Sequence, residues 1–139
     1  MKSILVKDYM NPQPLVLSTR DNVRDVVARL IDAKVTGAPV LDDNGALAGF
    51  VSEQDCIQEM LNEAFFCEEA VNVSKVMQTN VLTLTPDTSV VEVAQTMMGN
   101  KPKNYPVIQH GKLVGLINRR DILRALLEND DDCHLKIPA

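Results

Sequence analysis

The sequence predicts an α+β fold made of two βαββα repeats packed about a pseudo-two-fold axis. Three observations carry this expectation. The chain aligns with itself over nearly its whole length, each copy alternates short apolar runs with amphipathic helical stretches, and 139 residues suffice for one hydrophobic core but are short for two independent ones.

The alignment sets VKDYMNPQPLVLSTRDNVRDVVARLIDAKVTGAPVL against VSKVMQTNVLTLTPDTSVVEVAQTMMGNKPKNYPVI, with Met10 opposite Met77, Val23 opposite Val90 and Pro39 opposite Pro106. A one-residue slip in a turn, DDNG against QHG, then brings Gly45 opposite Gly111, Gly49 opposite Gly115 and Asp55 opposite Asp121. The opening element of each copy is a short apolar run bounded by turn formers, LVLS at 15 to 18 and VLTL at 81 to 84, which predicts buried strands. Val23, Val26, Val27, Leu30 and Ile31 then recur at helical spacing, as do Val90, Val93, Ala94, Met97 and Met98. Asp21 and Asp87 stand where a helix cap is expected.

APVL and YPVI, a tight turn, then ALAGFVS and LVGLIN read as a hairpin in each copy. The last helix carries Cys56, Ile57, Met60 and Leu61 in one copy and Ile122, Leu123, Leu126 and Leu127 in the other. All four helical stripes are expected in the core. The repeats are bounded at 1–64 and 73–129, with a linker at 65–72 and an acidic tail at 130–139 that is expected to fray. The acidic stretch 62–72 continues the last helix of the first copy, and its Phe65 and Phe66 are expected to cover the joint or face a partner. A unit of roughly 55 residues is marginal alone, so the two copies are expected to share a core.

Composition narrows the function. The net charge of −5 argues against a sequence-independent nucleic-acid binder, which needs surplus Lys and Arg. Cys56, Cys67 and Cys133 are widely spaced with no CxxC pair, so neither a disulfide framework nor a zinc site is expected. No stretch approaches the roughly 20 apolar residues of a membrane span, and a cytoplasmic, membrane-free protein is expected. An enzyme needs a nucleophile with a base, or a metal site. The only histidines are His110 in a turn and His134 in the tail, and no P-loop, GxGxxG or HExxH is present, so no catalytic activity is expected.

The duplicated order of VKDYM and VSKVM, of GAPVL and NYPVI, and of GFVSEQD and GLINRRD resembles a tandem pair of CBS (cystathionine β-synthase) domains, also called a Bateman module, over residues 4 to 127. The resemblance implies a pseudo-symmetric regulatory module, commonly a homodimer, with two clefts for AMP, ADP, ATP or S-adenosylmethionine. A ligand-free interaction scaffold serving a separate effector protein is the competing reading.

In that family a Ser or Thr, two residues, then Asp mark each cleft, and the Asp accepts from the ribose hydroxyls. The pattern maps to Ser52 and Asp55, and to Asn118 and Asp121, where Asn replaces the usual hydroxyl. The same spacing also describes a helix cap with a reciprocal acidic partner, and the two roles are compatible. The resemblance implies that each cleft is completed by the other copy. The Asp121 cleft would use Pro14, Leu15, Thr36, Gly37 and Ala38, with Arg119 and Arg120 near phosphate. The Asp55 cleft would use Asn80, Val81, Lys103, Asn104 and Tyr105, with Lys101 nearby. Gly37 and Ala38 are small enough to leave room for a base, whereas Tyr105 is expected to fill the opposite pocket or stack on its base. The Asp121 cleft is preferred, because arginine's planar fork suits phosphate.

Overall fold

The first copy yields the expected order of elements in the computed structural model, which describes residues 4–130, and the second does so without a continuous opening strand. The first contains β1 (Leu17–Ser18), α1 (Val23–Ala33), β2 (Gly37–Leu41), β3 (Leu47–Ser52) and α2 (Glu53–Phe66). The second contains α3 (Val90–Met97), β4 (Asn104–Gln109), β5 (Lys112–Asn118) and α4 (Arg119–Asp130). A short 3-10 turn opens each copy, Val6–Asp8 and Val73–Lys75. The acidic tail, with Cys133 and His134, lies outside the described residues.

The compact units do not coincide with the sequence copies. One spans Pro14–Val81, and the other joins the segment ending at Gln13 to the chain from Leu82 onward. They are called here the first-repeat and second-repeat units. The opening segment of each copy thus packs against the body of the other copy. Phe50 and Gln78 exchange backbone hydrogen bonds of 2.8 and 2.7 Å, and Asn11 and Leu116 exchange equivalent bonds of 2.8 and 3.0 Å. The backbone approaches so closely there that only glycine fits. A Cβ on Gly49 would stand 2.6 Å from the Gln78 carbonyl, and one on Gly115 would stand 2.5 Å from Met10 Sδ and 3.0 Å from the Asn11 carbonyl.

Among the described residues the buried side chains fall into two clusters, where one shared core is expected. Val6, Tyr9, Val90, Val93, Tyr105, Val107, Ile117, Ile122 and Ala125 make one buried cluster, all within the second-repeat unit. Leu17, Val23, Val26, Leu30, Ala38, Val40, Val51, Cys56 and Val73 make the other, all within the first-repeat unit. The borrowed segments explain the difference. Val6 and Tyr9 complete one cluster and Val73 the other, adding the apolar surface that a lone copy lacks.

The first-repeat sheet runs β1-β2-β3, with β1 parallel to β2 and β2 antiparallel to β3. The second-repeat sheet is the antiparallel pair β4-β5. The opening strands are shorter than expected: β1 is reduced to Leu17–Ser18, and the run 81–84 keeps only a parallel bridge from Leu84 to Val107. Sequence explains the second loss. The Thr19 N–H extends the β1 ladder to Leu41, but Pro86 occupies the matching place and has no N–H to donate.

Two other expectations are corrected. Asn22 and Ser89 cap α1 and α3, one or two residues beyond the acids expected there. Asp21 instead accepts from the Ser18 N–H at 2.8 Å, and Asp87 pairs with Lys7 at 3.2 Å. The helical stripes are only partly core. Ile31, Ile57, Leu61, Met98, Leu123 and Leu127 are all more than half exposed, as are Phe65 and Phe66. Adjacent positions on a helix point about 100° apart, so Cys56 and Ile122 face the sheet while Ile57 and Leu123 do not.

Gly49→Ala is expected to destabilise the protein by about 1–3 kcal/mol, because its contact is with rigid backbone. Gly115→Ala should cost less, since the nearest atom is a flexible methionine sulfur. Urea unfolding of both variants checks this order.

Candidate functional site

The two matching junctions are helix starts, at the ends of β3 and β5. At the first, the Ser52 N–H and Oγ both donate to Asp55 Oδ2 at 2.9 Å, and the Asp55 N–H returns to Ser52 Oγ at 3.3 Å. At the second, the Asn118 N–H donates to Asp121 Oδ2 at 3.0 Å, and the Asp121 N–H returns to Asn118 Oδ1 at 3.0 Å. Asn118 thus performs the capping task of Ser52 with its amide oxygen. Capping is real at both sites, and it consumes one carboxylate oxygen of each Asp.

The remaining oxygens differ. Asp55 Oδ1 accepts from Gln78 Nε2 at 3.1 Å. Asp121 Oδ1 has only a long contact of 3.5 Å from Arg124, and its side chain is one-fifth exposed. Arg119 and Arg120, the first two residues of α4, are exposed and form no ion pair among the described residues. The matching positions at α2 are Glu53 and Gln54. A ribose hydroxyl and a phosphate, which the resemblance implies, therefore fit the donor and acceptor set at Asp121 better than at Asp55.

The residues expected around these acids divide between the units. Asn118, Arg119, Arg120 and Asp121 belong to the second-repeat unit, and Pro14, Leu15, Thr36, Gly37 and Ala38 to the first. Ser52, Asp55, Asn80 and Val81 belong to the first-repeat unit, and Lys101, Lys103, Asn104 and Tyr105 to the second. Within its own unit each hairpin start flanks the helix start that follows it. Gly37 pairs with Ser52 and the Glu53 N–H donates to the Thr36 carbonyl at 2.8 Å; Asn104 pairs with Asn118 and the Arg119 N–H donates to the Lys103 carbonyl at 3.2 Å.

Three of these side-chain positions are set by their own unit's packing. The space at Gly37 is already taken, since a Cβ there would stand 2.7 Å from the Phe50 ring, and Ala38 is wholly buried in its unit's core. Tyr105 presents no exposed ring face. Its ring lies in the second-repeat core at 1% exposure, and burial raises the pKa of a hydroxyl without a partner among the described residues. Alternation along β4 puts Tyr105 and Val107 on the core face.

Sequence reasoning missed Gln78 and Arg124, which attend the two acids. It also missed a buried acidic cluster on α2, for which only the helical spacing of Glu59 and Glu63 was a signal. Glu63 is 1% exposed, and accepts from Arg24 Nε at 2.9 Å and from the Val71 N–H at 3.5 Å. Burial alone would raise its pKa, but the hydrogen bonds from Arg24, Glu59 and Val71 outweigh it and hold the carboxyl below its ordinary value. Glu59, one turn earlier, is raised by its hydrogen bond to Glu63 and then by burial. Glu59 Oε2 is buried without a hydrogen-bond partner among the described residues.

Among the described residues no group of His, Cys, Asp or Glu is arranged to hold a metal, and no helix is long and apolar enough to cross a membrane.

A CBS domain profile matches residues 6–62 and 73–128. The chain belongs to the CBS domain family, as a tandem pair of repeats. A CBSX2 structure in complex with AMP, the protein being from Arabidopsis thaliana, superposes with a TM-score of 0.79 at 29% identity, covering 92% of this chain and 99% of that one. The uncharacterized protein MJ1426 of Methanocaldococcus jannaschii is 28% identical over 89% of this chain and 92% of its own length. The A-adding tRNA nucleotidyltransferase of Aquifex aeolicus is 29% identical over 89% of this chain, which spans only 14% of that enzyme.

Arg24→Ala is expected to lower the melting temperature most near neutral pH. Glu63, with its depressed pKa, contributes stability above its unfolded value near 4.3, and this is lost as pH falls through the folded pKa. The gap between wild type and variant should therefore narrow in acid, which melting curves across that range measure.

Proposed function

We propose that this chain is a regulatory module that binds an adenine nucleotide of the AMP, ADP or ATP type at the start of α4. The carrying observation is that Asp121 keeps Oδ1 almost uncommitted beside the unpaired Arg119 and Arg120. In this reading Asp121 accepts from the ribose hydroxyls. Arg119 and Arg120, with the N–H groups and positive dipole end of the helix, receive phosphate. The AMP held by CBSX2 supports the choice of ligand class. At Asp55 the neighbouring Glu53 would repel phosphate, so the two repeats are unequal partners for it.

Output passes through a homodimer or a partner protein. The exposed apolar residues of α1 and α2 line a groove of about 770 Å³ with Val27, Ile31, Val35, Ile57, Met60 and Leu61. Met98, just past α3, with Leu123 and Leu127 on α4 form the corresponding exposed set. Apolar surface of this kind favours association, and the same surface supports the second reading, a scaffold whose junctions hold no ligand. A ligand changes assembly only if its affinity differs between the two arrangements.

Calorimetric titration with adenosine, AMP and ATP tests the proposal. Asp121→Ala is expected to weaken AMP at least tenfold, about 1.4 kcal/mol. The double variant Arg119→Ala, Arg120→Ala should weaken ATP and AMP and leave adenosine unchanged. Failure of AMP, ADP, ATP and S-adenosylmethionine to raise the melting temperature would favour the scaffold. Ile57→Glu with Leu61→Glu should shift sedimentation from dimer to monomer.

A further inference from the structure

The acid at the start of α4 has a basic neighbour that stops short of it. Arg124 lies one turn beyond Asp121 on the same helix, with its side chain half exposed. A charge-assisted hydrogen bond closes to roughly 2.8 Å, and opposite charges at this helical spacing attract. Arg124 Nη2 nevertheless stands 3.5 Å from Asp121 Oδ1. The same nitrogen donates to the Tyr9 carbonyl at 3.1 Å, and the guanidinium lies 5.4 Å from the centre of the Tyr9 ring, within cation–π range.

Tyr9 is built to hold it there. The residue arrives with the opening segment and is 6% exposed in the second-repeat core. Its hydroxyl donates to Glu128 Oε2 at 3.0 Å and accepts from Asn129 Nδ2 at 3.3 Å, which fixes the far end of the ring. Two residues on, the paired bonds between Asn11 and Leu116 fix the backbone. Arg124 is thus anchored on a buried ring and a main-chain carbonyl, all within the second-repeat unit. The first repeat lacks both halves of this contact: Val76 aligns with Tyr9 and Gln58 with Arg124, and Asp55 Oδ1 accepts from Gln78 instead.

One side chain therefore has two arrangements. On Tyr9, the guanidinium leaves Asp121 Oδ1 open to a hydroxyl donor. Released from Tyr9, it closes on Oδ1 and competes with that donor for the same lone pairs. We propose that Arg124 is a positioning residue that Tyr9 holds off Asp121, so that docking of the opening segment keeps the acid open to ligand. The proposal rests on the nucleotide reading for what binds at Asp121, whereas the restraint itself belongs to the empty protein. By linkage, a ligand that uses Oδ1 favours the docked segment in return.

Two measurements test this. Without ligand, urea unfolding of Arg124→Ala, Asp121→Ala and the double variant gives the coupling between the two side chains, and the lost helix cap cancels from the cycle. That coupling should be small in the wild-type background and about twofold or more larger in Tyr9→Leu, where the arginine is free to close. With adenosine, which has no phosphate to attract the arginine, Tyr9→Leu should weaken binding about fivefold or more, and Tyr9→Leu with Arg124→Ala should recover wild-type affinity. A merely structural role for Tyr9 gives no recovery. The proposal is overturned if the coupling is equal in the two backgrounds, or if removing Arg124 fails to rescue Tyr9→Leu. If adenosine and AMP bind none of these proteins, the nucleotide reading falls, and the unfolding cycle still decides the restraint. Should Tyr9→Leu fail to fold, hydrogen exchange decides: adenosine should raise the protection of the Asn11 amide about threefold or more in wild type and leave it unchanged in Arg124→Ala, and an equal rise in both overturns the proposal.

Discussion

The fold rests on the close approach of each opening segment to the strand at Gly49 or Gly115. Paired backbone hydrogen bonds hold Gln78 to Phe50 and Asn11 to Leu116, and a Cβ would be crowded by backbone at Gly49 and by the Met10 side chain at Gly115. These contacts carry Val73 into one core and Val6 with Tyr9 into the other. A βαββα copy of this size leaves part of its sheet and helices without apolar cover, and the borrowed segment supplies what is missing. The same docking places Gln78 on Asp55, so the residues that close the fold also set the hydrogen bonding of a candidate ligand acid.

The helix starts after β3 and β5 show how one spacing serves two purposes. A carboxylate three residues past the cap satisfies a backbone N–H with one oxygen and leaves the other for a second partner. In the first repeat that second partner is Gln78. In the second repeat the oxygen is almost uncommitted, and two arginines stand beside it in place of Glu53 and Gln54. The two repeats share their helix starts but differ in the charges beside the acids.

Packing asymmetry runs alongside. Tyr9 seals the face of α4 that Val76 leaves open on α2, and the open face retains carboxyls, amides and a lysine. Next to it, Glu63 lies buried under Arg24, and the hydrogen bond to Glu63 raises the pKa of Glu59. The first repeat therefore concentrates polar groups beneath and beside α2, where the second repeat has an aromatic ring.

The repeat, the order of its elements and the identity of the two capping acids were legible in the chain itself, because they depend on local periodicity and on hydrogen bonds spanning three residues. Pairing Asp55 with Asp121 required only self-alignment. Which copy's opening segment meets which hairpin was not legible, since the contact of Gln78 with Phe50 is the same in sequence terms as its alternative within the copy. Burial was half legible. Helical spacing marks a stripe broad enough to include Ile57 and Leu123, but only packing decides which edge of that stripe faces the sheet and which faces solvent. What surrounds Gly37 was illegible for the same reason: residue size is local, while its neighbour Phe50 is distant in the chain. Local interactions wrote the elements into the sequence, and long-range packing chose what each side chain would touch.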